Sequence, residues 1–163
     1  MCGITGVIQF QNSGIPGNLV VKAWEAMFKG SLRRGSDSSG VLAITPSTIY
    51  FCKQNTSADK LLKGNGYYQL KKSLDLTTSL AFLGHSRLAT NGRATRAQNN
   101  QPVVLNQIAL IHNGIVVNES QLKIDHNLRC ESELDSEVII RLLELFEVES
   151  NPAIALQKLF SSI

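Results

Sequence analysis

Met1-Cys2-Gly3-Ile4-Thr5-Gly6-Val7-Ile8-Gln9-Phe10 is the stretch from which the fold is read. Methionine followed by a small residue is a substrate for initiator-methionine removal, which leaves Cys2 as the N-terminus. A terminal cysteine carries both halves of a nucleophilic pair, a thiol and a free α-amine close beside it. That amine titrates at about 7.7–8.0 and a free thiol at about 8.5, so near neutral pH the amine can act as the thiol's base. A retained Met1 would acylate the amine and remove the base. Gly3 permits a tight backbone approach to a substrate. The apolar run from Ile4 through Val7 and Ile8 to Phe10 predicts a buried strand that anchors the nucleophile. A cysteine ahead of a strand usually carries no chemistry, so the remainder of the chain has to supply the other parts.

Composition narrows the classes. At 163 residues with a net charge of +3, the chain is the size of one domain with an ordinary core. Lys and Arg are scattered rather than striped, so no nucleic-acid partner is expected. No apolar run is long enough to span a membrane, and Cys2-Gly3 stands where a signal peptide would have its basic region. Cys2, Cys52 and Cys130 are odd in number and far apart, with no clustered histidines. Neither a disulfide framework nor a metal site is expected, no cofactor is called for, and a reducing cytoplasm is the expected location.

Outward from the first strand, Asn18 is placed to cap a helix to about Ser31, with Val20, Val21, Trp24, Met27 and Phe28 at helical spacing. Trp24 reads as core. The turn-forming run Arg33-Arg34-Gly35-Ser36-Asp37-Ser38-Ser39-Gly40 leads into a strand at Val41–Ile44, paired with a second at Ile49–Lys53. A short helix near Leu61-Leu62, a Gly64-Asn65-Gly66 break and a solvated Lys71-Lys72 face follow. Leu80–Leu88 reads as a strand and residues 92–101 as a polar, flexible loop. Residues 107–117 read as a strand interrupted by Asn113-Gly114. Asp135 opens a helix marked by Val138, Ile139, Leu142, Leu143 and Phe146. Asn151-Pro152 starts a last helix through Ile154, Leu156, Leu159 and Phe160. Strand, helix, several strands, then helices predicts an α+β fold on an antiparallel sheet.

Four polar points stand out from these apolar elements, and each has an ordinary explanation. Arg87 could be a surface ion-pair partner, Asn113-Gly114 a hairpin turn, and Asp135 a carboxylate complementing a helix dipole. Together with Cys2 they make a different set. A thiolate attacking an amide needs donors for the oxyanion, which an Asn carboxamide and a Gly N–H can supply. A guanidinium fork suits an α-carboxylate, and a carboxylate suits an α-ammonium. The set matches the parts of free glutamine.

Met-Cys-Gly-Ile, Arg34-Gly35-Ser36-Asp37-Ser38-Ser39-Gly40, Gly84-His85-Ser86-Arg87, His112-Asn113-Gly114 and Leu134-Asp135-Ser136-Glu137-Val138-Ile139 also resemble the class II glutamine amidotransferases. Within that family they are most similar to the glutaminase domain of the glucosamine-6-phosphate synthases. The resemblance implies an N-terminal-nucleophile hydrolase, an αββα sandwich of antiparallel sheets, with residues 1–163 as a partial glutaminase domain. The second sheet is expected to be incomplete at the C-terminus, and no acceptor or synthase domain is expected within residues 1–163. It further implies Cys2 as nucleophile with its own amine as base, and Asn113 and Gly114 as the oxyanion hole. Arg87 and Asp135 would bind the glutamine carboxylate and amine, Thr90 would line the pocket, and Gly84–Gly92 would close over substrate. The expected partners are L-glutamine and an ammonia-accepting synthase domain or subunit, with a sugar or sugar phosphate as acceptor. Leu88, Asn91 and Ser36 stand where the aminosugar synthases have tryptophan, histidine and proline. Two other readings are a catalytically silent glutamine-binding or scaffolding remnant, and an N-terminal-nucleophile hydrolase of other amides.

Overall fold

The computed structural model describes residues 2–89, 93 and 95–163. A four-stranded antiparallel sheet is built in the order β1 (Gly3–Gln9), β4 (Leu80–Arg87), β2 (Ser38–Ile44), β3 (Ile49–Gln54). β2 and β3 are joined by the turn Thr45–Thr48, closed by Thr45 N–H and Oγ1–H donating to the Thr48 carbonyl. Side chains alternate across a strand, so each face can be read by parity. Val7, Val41, Ala43, Cys52, Leu80 and Phe82 point to the face covered by α1 (Gly17–Gly30), α2 (Ala58–Leu61) and α3 (Asn65–Lys72). Trp24 is fully buried there, stacked on Phe28 at 5.0 Å between centroids, which confirms it as core. Truncating such a ring typically costs ~3–5 kcal/mol. A Cβ on Gly84 would stand 2.5 Å from the Phe28 ring, so glycine lets α1 lie this close to β4.

The other face carries Ile4, Ile8, Leu42, Phe51, Leu83 and His85. Here the expectation of a buried first strand is corrected. β1 is the sheet edge, the helices cover only one of its faces, and Ile4 and Ile8 remain exposed, as does Phe10 beyond its end. What does lie on this face is the segment 99–102. A Cβ on Gly40 would fall 1.9 Å from the Gln101 carbonyl oxygen, and Lys53 Nζ donates to the carbonyls of Asn100 and Pro102. The polar 92–101 loop is therefore not free at its end: Asn99, Asn100 and Gln101 are all buried.

The remaining elements form a second body of packing. β5 (Val103–Leu105) and β6 (Ile108–Leu110) make a hairpin through Asn106, whose φ of 51° is left-handed. α5 (Asp135–Leu145) packs on both strands, flanked by α4 (Glu119–Asp125) and α6 (Pro152–Ser162). Val116, Leu122, Val138, Ile139, Leu142, Leu143 and Leu159 are their shared core, with Phe146 packed against it. No helix among the described residues is long and apolar enough to cross a membrane.

Several expected boundaries shift. The strand predicted over 107–117 stops at Leu110, because the His112 peptide is bonded to the Gln101 side chain instead of a strand. Asn113-Gly114 is consequently not a hairpin turn. β2 starts at Ser38 rather than Val41, with Ser39 Oγ satisfied by the Thr56 carbonyl. α1 begins before Asn18, which makes no side-chain cap, and Met27 is exposed. Gly64-Asn65-Gly66 is the start of α3 rather than a break. Asn151 does cap α6, accepting from Ile154 N–H at 3.2 Å, yet Ile154, Leu156 and Phe160 stay exposed.

Two glycines separate tight packing from helix propensity. Gly40→Ala drives a methyl into the Gln101 peptide and is expected to destabilise by about 1–3 kcal/mol. Gly30→Ala meets nothing within 4 Å at the end of α1 and is expected to be neutral or stabilising by up to about 1 kcal/mol. Urea unfolding of the two variants checks both.

Candidate active site

Parity places Cys2. Continuing the alternation of β1 back from Ile4 puts Cys2 on the face away from α1–α3, and that of β4 puts His85 and Arg87 on the same face. The ends of β1 and β4 meet there, with Gly3 opposite Ser86. Cys2 is half-buried, its Sγ 3.4 Å from Leu88 N and 3.5 Å from the Leu88 carbonyl oxygen. Its own carbonyl accepts from Asn113 Nδ2 at 3.2 Å and, at a long 3.5 Å, from Arg34 Nε.

The run Arg34–Gly40, read as a turn, braces this corner. A Cβ on Gly35 would stand 2.4 Å from the Arg87 carbonyl carbon, so only glycine lets the two backbones touch. Asp37 N–H donates to the Arg87 carbonyl at 3.0 Å, and its carboxylate accepts from Ala89 N at 2.8 Å. Arg87 is 4% exposed, and its Nη1 donates to Asn100 Oδ1 at 3.1 Å. Burial lowers its pKa, opposed by Cys2 and Asp37. A guanidinium is effectively always protonated in proteins, so it remains a cation.

Opposite this corner stands the segment 112–116 with the start of α5. The Gln101 carboxamide clamps the backbone of His112 at both groups, accepting from its N–H at 2.6 Å and donating to its carbonyl at 2.9 Å. His112 Nδ1 lies 3.1 Å from Ser136 Oγ, and its ring backs Gly114, where a Cβ would come within 2.5 Å of Nε2. Asp135 opens α5 and is 8% exposed. Its Oδ2 accepts from Val116 N at 2.8 Å, while Oδ1 accepts from Ser136 N at 2.8 Å and Ser136 Oγ at 3.3 Å. A carboxylate offers about four acceptor sites, so these three bonds leave room for one more donor.

Cys2, Arg87, Asn113, Gly114 and Asp135 thus line one cavity of about 360 Å³, within the ~300–1,000 Å³ range of small-molecule sites. Thr90 and Asn91 lie outside the described residues. The segment expected as a closing loop, Gly84–Gly92, is strand as far as Arg87. Among the described residues no group of His, Cys, Asp or Glu is placed to hold a metal. Sequence reasoning gave no role to His85, Gln101, His112 or Ser136, which also line the cavity. The signal for His85 was present, since it stands two residues before Arg87 on one strand.

A helix-backed antiparallel sheet thus opens, at the start of its edge strand, on a cavity-lining cysteine. The chain resembles the class II glutamine amidotransferases, and its relatives are specific. It is 30% identical over 152 residues to the glutamine–fructose-6-phosphate aminotransferase of Sulfurisphaera tokodaii, covering 90% of this chain and 24% of that protein. The corresponding Thermus thermophilus protein is 33% identical over 153 residues, covering 88% and 22%. That of Staphylococcus epidermidis is 29% identical over 170 residues, covering 100% and 25%. The chain therefore spans about a quarter of the length of these relatives. In fold it is similar to the allosteric regulatory enzyme of purine biosynthesis (TM-score 0.62) and to glutamine phosphoribosylpyrophosphate amidotransferase from B. subtilis (TM-score 0.59). Each is 21% identical, over 86% of this chain and 29% of the other. No family model matches the chain.

His85 provides a pH signature of the folded site. Burial is the main force lowering its pKa to about 4, aided by Arg87 and His112 and opposed by its bond to Asn113. The unfolded imidazole, near 6.5, binds more protons between these values, so the contribution of His85 to stability is full above about pH 6.5 and falls as pH drops toward 4. NMR titration is expected to show the His85 ring still neutral at pH 5, its signal identified by its absence in His85→Gln. The same substitution should flatten the loss of stability across that window.

Proposed function

We propose that this chain is a glutaminase domain that hydrolyses the side-chain amide of L-glutamine and delivers ammonia to an acceptor on another domain or subunit. The observation that carries the reading is the convergence of Cys2, Arg87, Asn113, Gly114 and Asp135 on one cavity. A cation and an anion lining the same cavity as Cys2 suit the α-carboxylate and α-ammonium of a free amino acid.

With Met1 removed, the Cys2 amine takes the thiol proton and Sγ attacks the γ-carboxamide carbon. The oxygen that gains the charge is met by Asn113 Nδ2–H and the Gly114 N–H. The new ammonium returns the proton to the amide nitrogen, the C–N bond breaks and ammonia leaves a γ-glutamyl thioester. Water, deprotonated by the same amine, then breaks the C–S bond and frees glutamate. Arg87 holds the substrate carboxylate and Asp135 its amine, with Thr90 lining the pocket. The names of the aminotransferase relatives support a sugar phosphate as ammonia acceptor. The biosynthetic character of those relatives supports a cytoplasmic location.

Release of glutamate from glutamine by the purified chain, after intact mass establishes loss of Met1, is the test. Cys2→Ala is expected to lower the rate by at least about 10³-fold. A diazo-oxo-norleucine adduct should form once per chain and not on that variant. Glutamine binding without turnover would make the chain a silent sensor, and no binding at all would remove the reading.

Arg87→Lys loses a bidentate fork and Asp135→Asn a charge, so each is expected to raise KM about 10–100-fold. Gly114→Ala, which pushes His112 aside, should instead lower kcat. Initial rates across glutamine concentration separate the two effects. Activity unchanged in the Arg87 and Asp135 variants would favour a different amide substrate.

A further inference from the structure

One polar side chain on the cavity face is left unused by this chemistry. His85 is 1% exposed and lies in register between Ile4 of β1 and Gly40 of β2. Its Nε2 stands 3.1 Å from Asn113 Oδ1, while its Nδ1 is buried with no partner. The other end of the Asn113 carboxamide, Nδ2, donates to the Cys2 carbonyl at 3.2 Å.

The two ends of that carboxamide are not equivalent for catalysis. With Nδ2 toward Cys2, a donor faces the place where negative charge develops. Rotated by half a turn, an oxygen would face it and repel the charge. The terminal torsion of Asn is roughly two-fold, so its own rotamer does not choose between these states; the partners must, the Cys2 carbonyl at one end and His85 at the other. A neutral imidazole with hydrogen on Nε2 accepts only one of them, because the rotated carboxamide would set N–H against N–H. Burial, with Arg87 and His112 nearby, keeps the ring neutral at working pH. A single proton placed on Nδ1 would find no acceptor there.

We propose that His85 is a positioning residue whose Nε2–H fixes the Asn113 carboxamide with Nδ2 toward the oxyanion. Its kinetic consequence rests on the glutaminase reading, whereas the hydrogen bond itself does not. His85 acts through Asn113 and touches no reacting atom.

The test is a double-mutant cycle on glutamate release, with thermal unfolding of each variant. His85→Leu is expected to lower kcat by about 10²-fold, the loss of one aimed oxyanion donor, with KM within about threefold. His85→Gln, which restores an N–H, should recover at least about tenfold of it. In an Asn113→Ala background, His85→Leu should cost under about threefold more. An equal loss in both backgrounds, a loss confined to KM, or a Gln variant no better than Leu overturns the proposal. ¹⁵N shifts of the wild-type imidazole give an independent reading that needs no activity and no variant. They are expected to show Nε2 protonated and Nδ1 bare, and the opposite tautomer overturns the proposal. Should the wild-type chain release no glutamate, the glutaminase reading fails and the tautomer still decides the role of His85.

Discussion

The two hydrogen bonds between the Gln101 carboxamide and the His112 peptide are the constraint on which the site depends. Gln101 belongs to the segment laid on the sheet, where Gly40 makes room for its backbone. His112 leads directly into Asn113 and Gly114. Joining them couples the sheet, which carries Cys2 and Arg87, to the α5 region, which carries Asp135. A residue held at both its N–H and its carbonyl has the peptide planes on either side of it fixed, and burial of Gln101 protects the pair from water. Asn113 and Gly114, the proposed oxyanion donors, are thereby tied to β2 although they sit on a segment with no ladder of its own.

Burial is put to two different uses around the cavity. For Arg87 it is opposed by nearby negative groups and leaves a cation. For His85 it is reinforced by the neighbouring Arg87 and removes the charge. Two basic side chains, two residues apart on one strand, are thus held in opposite charge states by their surroundings. The acidic partner, Asp135, is neither bare nor saturated. Its bonds to Val116 and Ser136 orient it while leaving acceptor capacity toward the cavity.

Much of this was legible in the sequence because it follows from short-range pattern. The order of elements, the helix opened by Asp135, the Asn151 cap and Trp24 as core all rest on periodicity or capping chemistry. The set Cys2, Arg87, Asn113, Gly114 and Asp135 was legible because complementarity to free glutamine restricts residue type. What could not be read depends on which surfaces meet. Residues 111–117 are apolar enough for a strand, and only the distant Gln101 side chain takes them out of the ladder. Ile4, Ile8 and Phe10 pattern as buried, yet whether a face is covered depends on helices elsewhere in the chain. Asn99, Asn100 and Gln101 look like loop residues by composition, and their amides are buried because they answer backbone groups far away in sequence.

The register of β1 against β4 has a consequence for where a nucleophile can stand. Gly3 faces Ser86, so Cys2 is the first residue beyond the ladder, and successive residues alternate faces. Displacing the thiol by a single position, to residue 3, would turn it against Ser31 and Arg34, whose Cβ atoms already stand 3.1 and 3.0 Å from a Cβ placed there. A shift of two would restore the face but carry the thiol roughly 7 Å along the strand direction. The location of the chemistry is therefore a matter of parity: the cysteine is tied to its place by counting from a sheet edge rather than by its own side-chain contacts.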